Sequence, residues 1–195
     1  MTTDAAASGL PDDLRRLTVE IDEILRQTDA LLDPLDDEQF NWHPAPGSWS
    51  VGQCFEHLNV VNGIYFRGIH RAVERARQAG HRRRGAMTSS ALGRLFVWSQ
   101  EPPFRVKVRA PSRVRPAARR RKAEVWPEFV RFHTHLKGFL QECADVDLNR
   151  ARFPNPFLPL MKVRAGTGLR ILMAHDRRHV WQALRVRQSQ GFPRH

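Results

Sequence analysis

The stretch Met173-Ala-His-Asp-Arg-Arg-His-Val-Trp-Gln182 places His175 and His179 four residues apart in a segment with helical periodicity. Residues at this spacing lie on one face of an α-helix, so both imidazoles point toward the same place. The apolar residues Leu172 and Val186 fall on the same line, which is the face that a helix bundle turns inward. The stretch therefore predicts a bundle helix that carries two metal ligands on its inner face.

A third candidate ligand, His57, lies in a second predicted helix. This helix begins at Ser50, where Ser-Val-Gly-Gln has the spacing of a capping box with Gln53. His57 shares a helix face with the apolar residues Val61 and Ile64, so it also points inward. Three histidines from two helices would leave one coordination position open, which suits a catalytic metal site better than a structural one.

The same apolar periodicity predicts four helices in all. They cover about 12–32, 50–78, 121–143 and 167–190. Between the first two helices, Asp36 to Gly47 is predicted to be a structured turn rather than an element, and 145–168 is predicted to be irregular.

The segment from Gly80 to Arg120 has a different character from the helices around it. It contains four prolines and an alternating run, Phe104 to Val108, that suits a short extended piece. A connection of this length allows a bundle that is not a simple up-and-down arrangement. We predict an all-α fold, a four-helix bundle with a long crossover between helices 2 and 3.

Length and composition bound the class of protein. A chain of 195 residues with 41% hydrophobic content suits one domain over 1–195, with a flexible N-terminus over 1–11. The N-terminus lacks the features of a signal peptide, and no apolar run reaches the roughly 18 to 20 residues of a membrane span. Cys54 and Cys143 are too few for a disulfide framework. We expect a cytoplasmic protein without a membrane segment.

The net charge of +12 raises the question of nucleic-acid binding. The 32 basic residues are mostly arginines spread along the chain, and only Arg82 to Arg84 and Arg119 to Lys122 form runs. These runs lie in or beside the crossover and lack the interleaved aromatic residues of single-strand binding surfaces. The pattern favours a solvated basic surface over a nucleic-acid site, although a basic crossover that contacts an acidic partner stays an alternative.

Three neutral imidazoles favour a divalent transition metal, with zinc as the first choice and nickel or iron as alternatives. Such a centre would lower the pKa of a bound water or thiol toward neutrality. Other residues near the ligands are candidates for contact with the ligands or with a substrate. They are Gln182, Arg177, Arg178, His133 and Cys54. For the two arginines the ordinary interpretation is a solvated helix face, and for Cys54 a small core residue.

The residues Trp49-Ser-Val-Gly-Gln-Cys-Phe-Glu-His57-Leu and Ala174-His-Asp-Arg-Arg-His-Val-Trp-Gln182 together resemble the DinB-like (DinB/YfiT) superfamily. The resemblance implies a four-helix bundle with a long crossover after the second helix, and a metal held by His57, His175 and His179. It also implies dimers in many members. Members with assigned activities include transferases that join thiols such as bacillithiol or mycothiol to electrophiles. Others are a thiol-dependent isomerase and metal-dependent hydrolases.

We therefore interpret the chain as a metal-dependent enzyme that activates a water or a low-molecular-weight thiol for reaction with a small-molecule substrate. This interpretation includes two classes of enzyme, a thiol transferase and a hydrolase. In the transferase the thiol would be a co-substrate. The competing hypothesis is a non-catalytic metal-binding bundle whose basic surface binds nucleic acid or an acidic partner. A third is a descendant of an enzyme that keeps the metal only for stability.

Overall fold

The structure, a computed structural model, describes residues 9–103 and 110–194. Over these residues the chain is mostly helical, which confirms the predicted all-α class. The helices are α1 (Asp12–Leu32), α2 (Asp37–Asn41), α3 (Val51–Gln78), α4 (Ala91–Gln100), α5 (Lys122–Glu142) and α6 (Ala165–Arg187). Strands β1 (Arg152–Pro154) and β2 (Lys162–Arg164) pair antiparallel between α5 and α6.

The four long helices surround one apolar core. Helix α3 packs against α5 and α6, and α1 packs against the same two helices. The apolar stripe of α1, including Leu14, Ile21 and Ile24, is buried as its spacing predicted. Each fully buried Leu, Ile or Phe side chain contributes roughly 1.5–3 kcal/mol to folding. None of the described helices combines the length and apolarity that a membrane span requires.

Capping boxes fix the start of two helices. At Ser50 the hydroxyl accepts from the Gln53 amide at 3.1 Å, and the Gln53 side chain accepts from the Ser50 amide at 3.2 Å, as predicted. Asp36 and Gln39 form a second capping box at the start of α2. The prediction of a turn without an element between 36 and 47 is therefore wrong. A five-residue helix is too short to show apolar periodicity, although its Asp-x-x-Gln signature stands in the sequence.

Three further elements lie in segments where the sequence predicted no helix or strand pair. Helix α4 lies within the crossover and is capped by Ser90, whose hydroxyl accepts from the Gly93 amide at 3.1 Å. The short strands β1 and β2 lie within 145–168 and place Phe153 opposite Val163. The predicted extended piece from Phe104 to Val108 lies outside the described residues.

The β1–β2 pair covers the contact between α3 and α6. Phe153 is buried, and its ring lies so close to Gly68 of α3 and Gly168 of α6 that a Cβ on either glycine would stand 2.7 or 2.8 Å from it. Only a residue without a side chain lets both helices approach the ring this closely. The apolar groups of this proline-containing segment thus pack over the bundle.

The crossover is bound to the bundle at both ends. Near its start, the Asp13 carboxylate of α1 accepts from the Arg83 guanidinium and from the Met87 amide, each at 2.5 Å. Near its end, the Glu56 carboxylate of α3 accepts from the Ala117 amide at 2.8 Å. Arg120 donates to the same Glu56 carboxylate at 3.0 Å. These contacts position the crossover beside His57.

Candidate metal centre

Three histidines converge between α3 and α6. His57 comes from α3, and His175 and His179 come from successive turns of α6. One nitrogen of each imidazole lies within 4.8 Å of the others. The ring centroids are 5.3 Å apart for His57 and His175, 4.7 Å for His57 and His179, and 4.6 Å for His175 and His179. The close packing of the two helices therefore brings together the three histidines that the sequence singled out.

The main chain of the crossover orients His57. Its Nδ1 lies 2.7 Å from the carbonyl oxygen of Val114, which belongs to a 3₁₀ turn, Ser112–Val114. A carbonyl oxygen can only accept, so Nδ1 carries the proton and Nε2 keeps its lone pair. Metal-binding histidines commonly donate their second nitrogen to a carbonyl or carboxylate in this way. The hydrogen bond from the crossover therefore leaves the lone pair of His57 Nε2 available for a metal ion.

His175 and His179 each keep an unsatisfied nitrogen. Within the described part of the chain, Nδ1 of each is buried and has no hydrogen-bond partner. Buried polar atoms without a partner are unfavourable, and coordination to a cation is a way to satisfy an imidazole nitrogen. The unsatisfied nitrogens thus fit a bound metal ion.

Burial also sets the charge of the three side chains. It lowers the pKa of His57, and it lowers the pKa of His175 and His179 well below the ordinary histidine range. Repulsion among these rings and from Arg178 adds to the effect. The imidazoles are therefore neutral at pH 7, which is the form that binds zinc, nickel or iron. Three ligands leave room for a further one.

Trp49 lies against two of the three histidines. Its ring stacks on His179, with centroids 5.6 Å apart and 24° between the planes, and lies 4.9 Å from the His57 ring. The sequence predicted no contact between Trp49 and the histidines. Its position directly before the N-cap Ser50 was the available signal, because α3 then carries His57 two turns further on.

A buried polar cluster lies beside the centre. The Asp176 carboxylate accepts from the Asn62 amide at 2.9 Å and lies 2.9 Å from Nε2 of His133. All three side chains are buried, and they join α3, α5 and α6. The sequence offers His133 as a candidate for contact with the ligands or a substrate, and the structure places it in this cluster instead of among the three converging histidines. Its Nδ1 donates to the Phe129 carbonyl at 2.9 Å.

The remaining candidates separate into two groups. Cys54 is fully buried, which raises the pKa of its thiol, and it is not part of the three-histidine group. Arg177 is only partly exposed and forms ion pairs with Glu20 at 2.7 Å and Glu101 at 2.5 Å, so it is not the solvated side chain that the sequence suggested. Arg178 and Gln182, in contrast, line a cavity together with His179.

A cavity of about 730 Å³ reaches the three-histidine group at one of its members. His179 forms part of its wall. Its volume lies in the range of small-molecule sites. Other residues of the wall come from the segment before α3, from the end of the crossover and from α6. They include Trp49, Arg115, Arg178, Trp181, Gln182 and Arg185.

Sequence reasoning missed several of these residues for physical reasons. Val114 contributes a main-chain carbonyl, which leaves no side-chain signal. Arg115 and Arg185 stand among many arginines, and their spacing alone does not distinguish them from a solvated surface. Only the fold shows that they face the same cavity.

A comparison with known protein families shows the family to which the chain belongs. A sequence model of the DinB superfamily matches residues 20–183, a range that includes all three histidines. The protein therefore belongs to the DinB superfamily. Comparisons with curated proteins and with solved structures found no match.

Proposed function

We propose that this protein is a metal-dependent enzyme that activates a water or a low-molecular-weight thiol for attack on a small-molecule substrate. One observation carries the proposal: three neutral imidazoles converge within 4.8 Å, and one of them, His179, lines a cavity of ligand size. Membership of the DinB superfamily supports it. The chemistry would be thiol transfer or hydrolysis.

In this proposal His57, His175 and His179 hold one divalent transition metal, with zinc favoured and nickel or iron as alternatives. When bound, such an ion would lower the pKa of a water or thiol toward neutrality. Val114 fixes the tautomer of His57 through its carbonyl. Trp49 covers one side of His57 and His179 and limits the access of bulk water to them.

Gln182 is proposed to contact the substrate or a ligand. It lines the cavity and interacts with the His179 side chain. Its amide can both donate and accept hydrogen bonds, so it can orient a polar group next to the centre. The four long helices, each packed against two others, support a four-helix bundle as the scaffold. A homodimer stays a prediction from the resemblance.

The first experiment is elemental analysis of protein purified without an affinity tag or chelator, beside a His175→Ala/His179→Ala variant. About one equivalent of zinc, nickel or iron that is lost in the variant would support the centre. Thiol-dependent consumption of a test electrophile, and hydrolysis of ester and amide substrates, would then be compared with His179→Ala. An unchanged rate in His179→Ala would refute a role for the metal.

A non-catalytic binding protein predicts a different set of results. Binding of nucleic acid or an acidic partner would weaken steeply with salt and survive the loss of the histidines. A bundle that uses the metal only for stability would melt at a lower temperature without it and show no turnover. Activity that depends on the histidines separates the proposed enzyme from both.

A further inference from the structure

Arginines from two parts of the chain line the cavity beside His179. Arg178 and Arg185 lie seven residues apart on α6, which is close to two helical turns and places them on one face. Arg115 comes from the crossover and directly follows Val114, whose carbonyl binds His57. The described residues of the cavity wall include these three arginines and no Asp or Glu.

Some arginines near the bundle surface are matched by carboxylates. Arg177 pairs with Glu20 and Glu101, and Arg120 pairs with Glu56. Among the described residues, neither Arg115 nor Arg185 forms an ion pair, and Arg115 donates to the Ala110 carbonyl at 3.2 Å. Among the described residues, the charges of Arg115 and Arg185 are therefore not neutralised by acidic side chains of the cavity wall.

The rest of the wall is largely apolar and aromatic. Trp49 and Trp181 line the cavity together with Pro44 and Val186. Indole rings contribute a large flat contact surface and favour planar or apolar groups. A cavity with cationic and aromatic walls fits a molecule that has both an anionic and an apolar part.

The geometry points to a substrate class: the cavity binds a small organic anion, in which a carboxylate or phosphate is attached to an apolar or aromatic group. Arg115, Arg178 and Arg185 bind the oxyanion, because guanidinium groups match its geometry and charge. Trp49 and Trp181 pack against the apolar part. The inference rests on the proposed function, since it makes this anion the substrate of the three-histidine centre.

Isothermal titration of the purified protein with benzoate and phenylphosphate tests the inference, and benzamide serves as the uncharged comparison. The Arg115→Gln/Arg185→Gln variant removes two charges from the cavity. The control variant Arg71→Gln/Arg131→Gln removes two exposed arginines elsewhere on the surface. Arg71 is fourteen residues beyond His57 on α3, about 21 Å along the helix.

We expect at least one of the two anions to bind, and its affinity to fall about tenfold or more in the cavity variant. The control variant should stay within about twofold of the wild type, and benzamide should bind more weakly than benzoate. Three results would overturn the inference: neither anion binds, benzamide binds as well as benzoate, or the control variant loses as much affinity as the cavity variant.

The same titrations on His57→Ala/His175→Ala separate this inference from the proposed function. These two histidines are not part of the cavity wall, so the arginines stay in place. Retained anion binding in a variant without metal supports the arginine site. Loss of binding would mean that the metal, and not the arginines, holds the anion, which overturns the inference. Wild-type protein that lacks metal but binds anions refutes the proposed function alone.

Discussion

Nδ1 of His57 lies 2.7 Å from the carbonyl oxygen of Val114, so the long crossover contacts the candidate metal centre directly. The chain that follows Val114 is held to α3 by the Glu56 carboxylate, through the Ala117 amide and the Arg120 guanidinium. Contacts that hold the crossover on α3 thus also keep His57, a candidate metal ligand, in its tautomer and orientation.

Glu56→Gln is expected to weaken metal binding by about threefold or more. The change removes the charge that holds Arg120, which loosens the crossover beside Val114, and loss of groups that orient metal ligands typically lowers affinity. Titration against a competing chelator measures the effect. Glu74→Gln on the same helix is the control, because Glu74 pairs with Arg77 of its own helix, eighteen residues beyond Glu56. Equal affinities in both variants would show that this anchoring does not act on His57.

His133→Phe should lower the free energy of unfolding by about 3–5 kcal/mol, because it leaves the buried Asp176 carboxylate without its imidazole partner. The second variant, His133→Phe/Asp176→Leu, removes both polar partners and should be more stable than the sum of the single changes predicts. Urea unfolding of the two single variants and the double variant gives the coupling free energy between His133 and Asp176. Strictly additive effects would contradict an interaction between the two side chains.

Asp13 should make stability depend on pH. Burial raises its pKa, but hydrogen bonds from the Met87 amide and Arg83 outweigh this and hold the pKa below its ordinary 3.8. Its contribution is therefore full above pH 3.8 and is lost as pH falls through the lower folded-state value. Asp13→Asn should cost about 1 kcal/mol at pH 7 and progressively less below pH 4. Urea unfolding across this range, beside the exposed Asp12→Asn, measures the difference. If the loss in free energy of unfolding caused by Asp13→Asn does not change with pH, a lowered pKa of Asp13 in the folded state is contradicted.

Substitution by alanine should change the stability of the fold in opposite directions at two glycines. At Gly168 a Cβ would stand 2.8 Å from the Phe153 ring and 3.1 Å from Ile69, so Gly168→Ala should destabilise the fold by about 1–3 kcal/mol. At Gly138, inside α5, a Cβ would meet nothing within 4 Å. Gly138→Ala should therefore stabilise by about 0.5–1 kcal/mol. The melting temperatures of both variants measure these two effects. A lower melting temperature for Gly138→Ala would show that a side chain at this position meets other atoms.

The sequence predicted the long helices well because each is amphipathic over many turns. Helix α1 has the predicted bounds, and α3 begins at the predicted capping box of Ser50. Helix α6 begins two residues before the predicted start and ends at Arg187 rather than near Gln190. Helix ends depend on a few local contacts, which periodicity does not report.

Short elements and the cavity could not be predicted in the same way. Helices α2 and α4 and the β1–β2 pair are too short for a periodic signal. The histidines were identifiable because imidazoles four residues apart are uncommon on an apolar face. The arginines of the cavity and the Val114 carbonyl depend on where the crossover lies, and this follows from contacts between distant parts of the chain such as Glu56 with Ala117.

The stacking of Trp49 on His179 would make the fluorescence of this indole sensitive to a metal ion bound by the three histidines. An open-shell ion such as nickel or iron quenches an indole within a few ångströms, whereas zinc, with its filled d shell, does not. Trp49 also lines the cavity, so a ligand entering beside the histidines would change the surroundings of the same ring. Comparison of wild-type emission with that of Trp49→Phe would therefore isolate the signal of this indole and report both the kind of metal and the filling of the cavity.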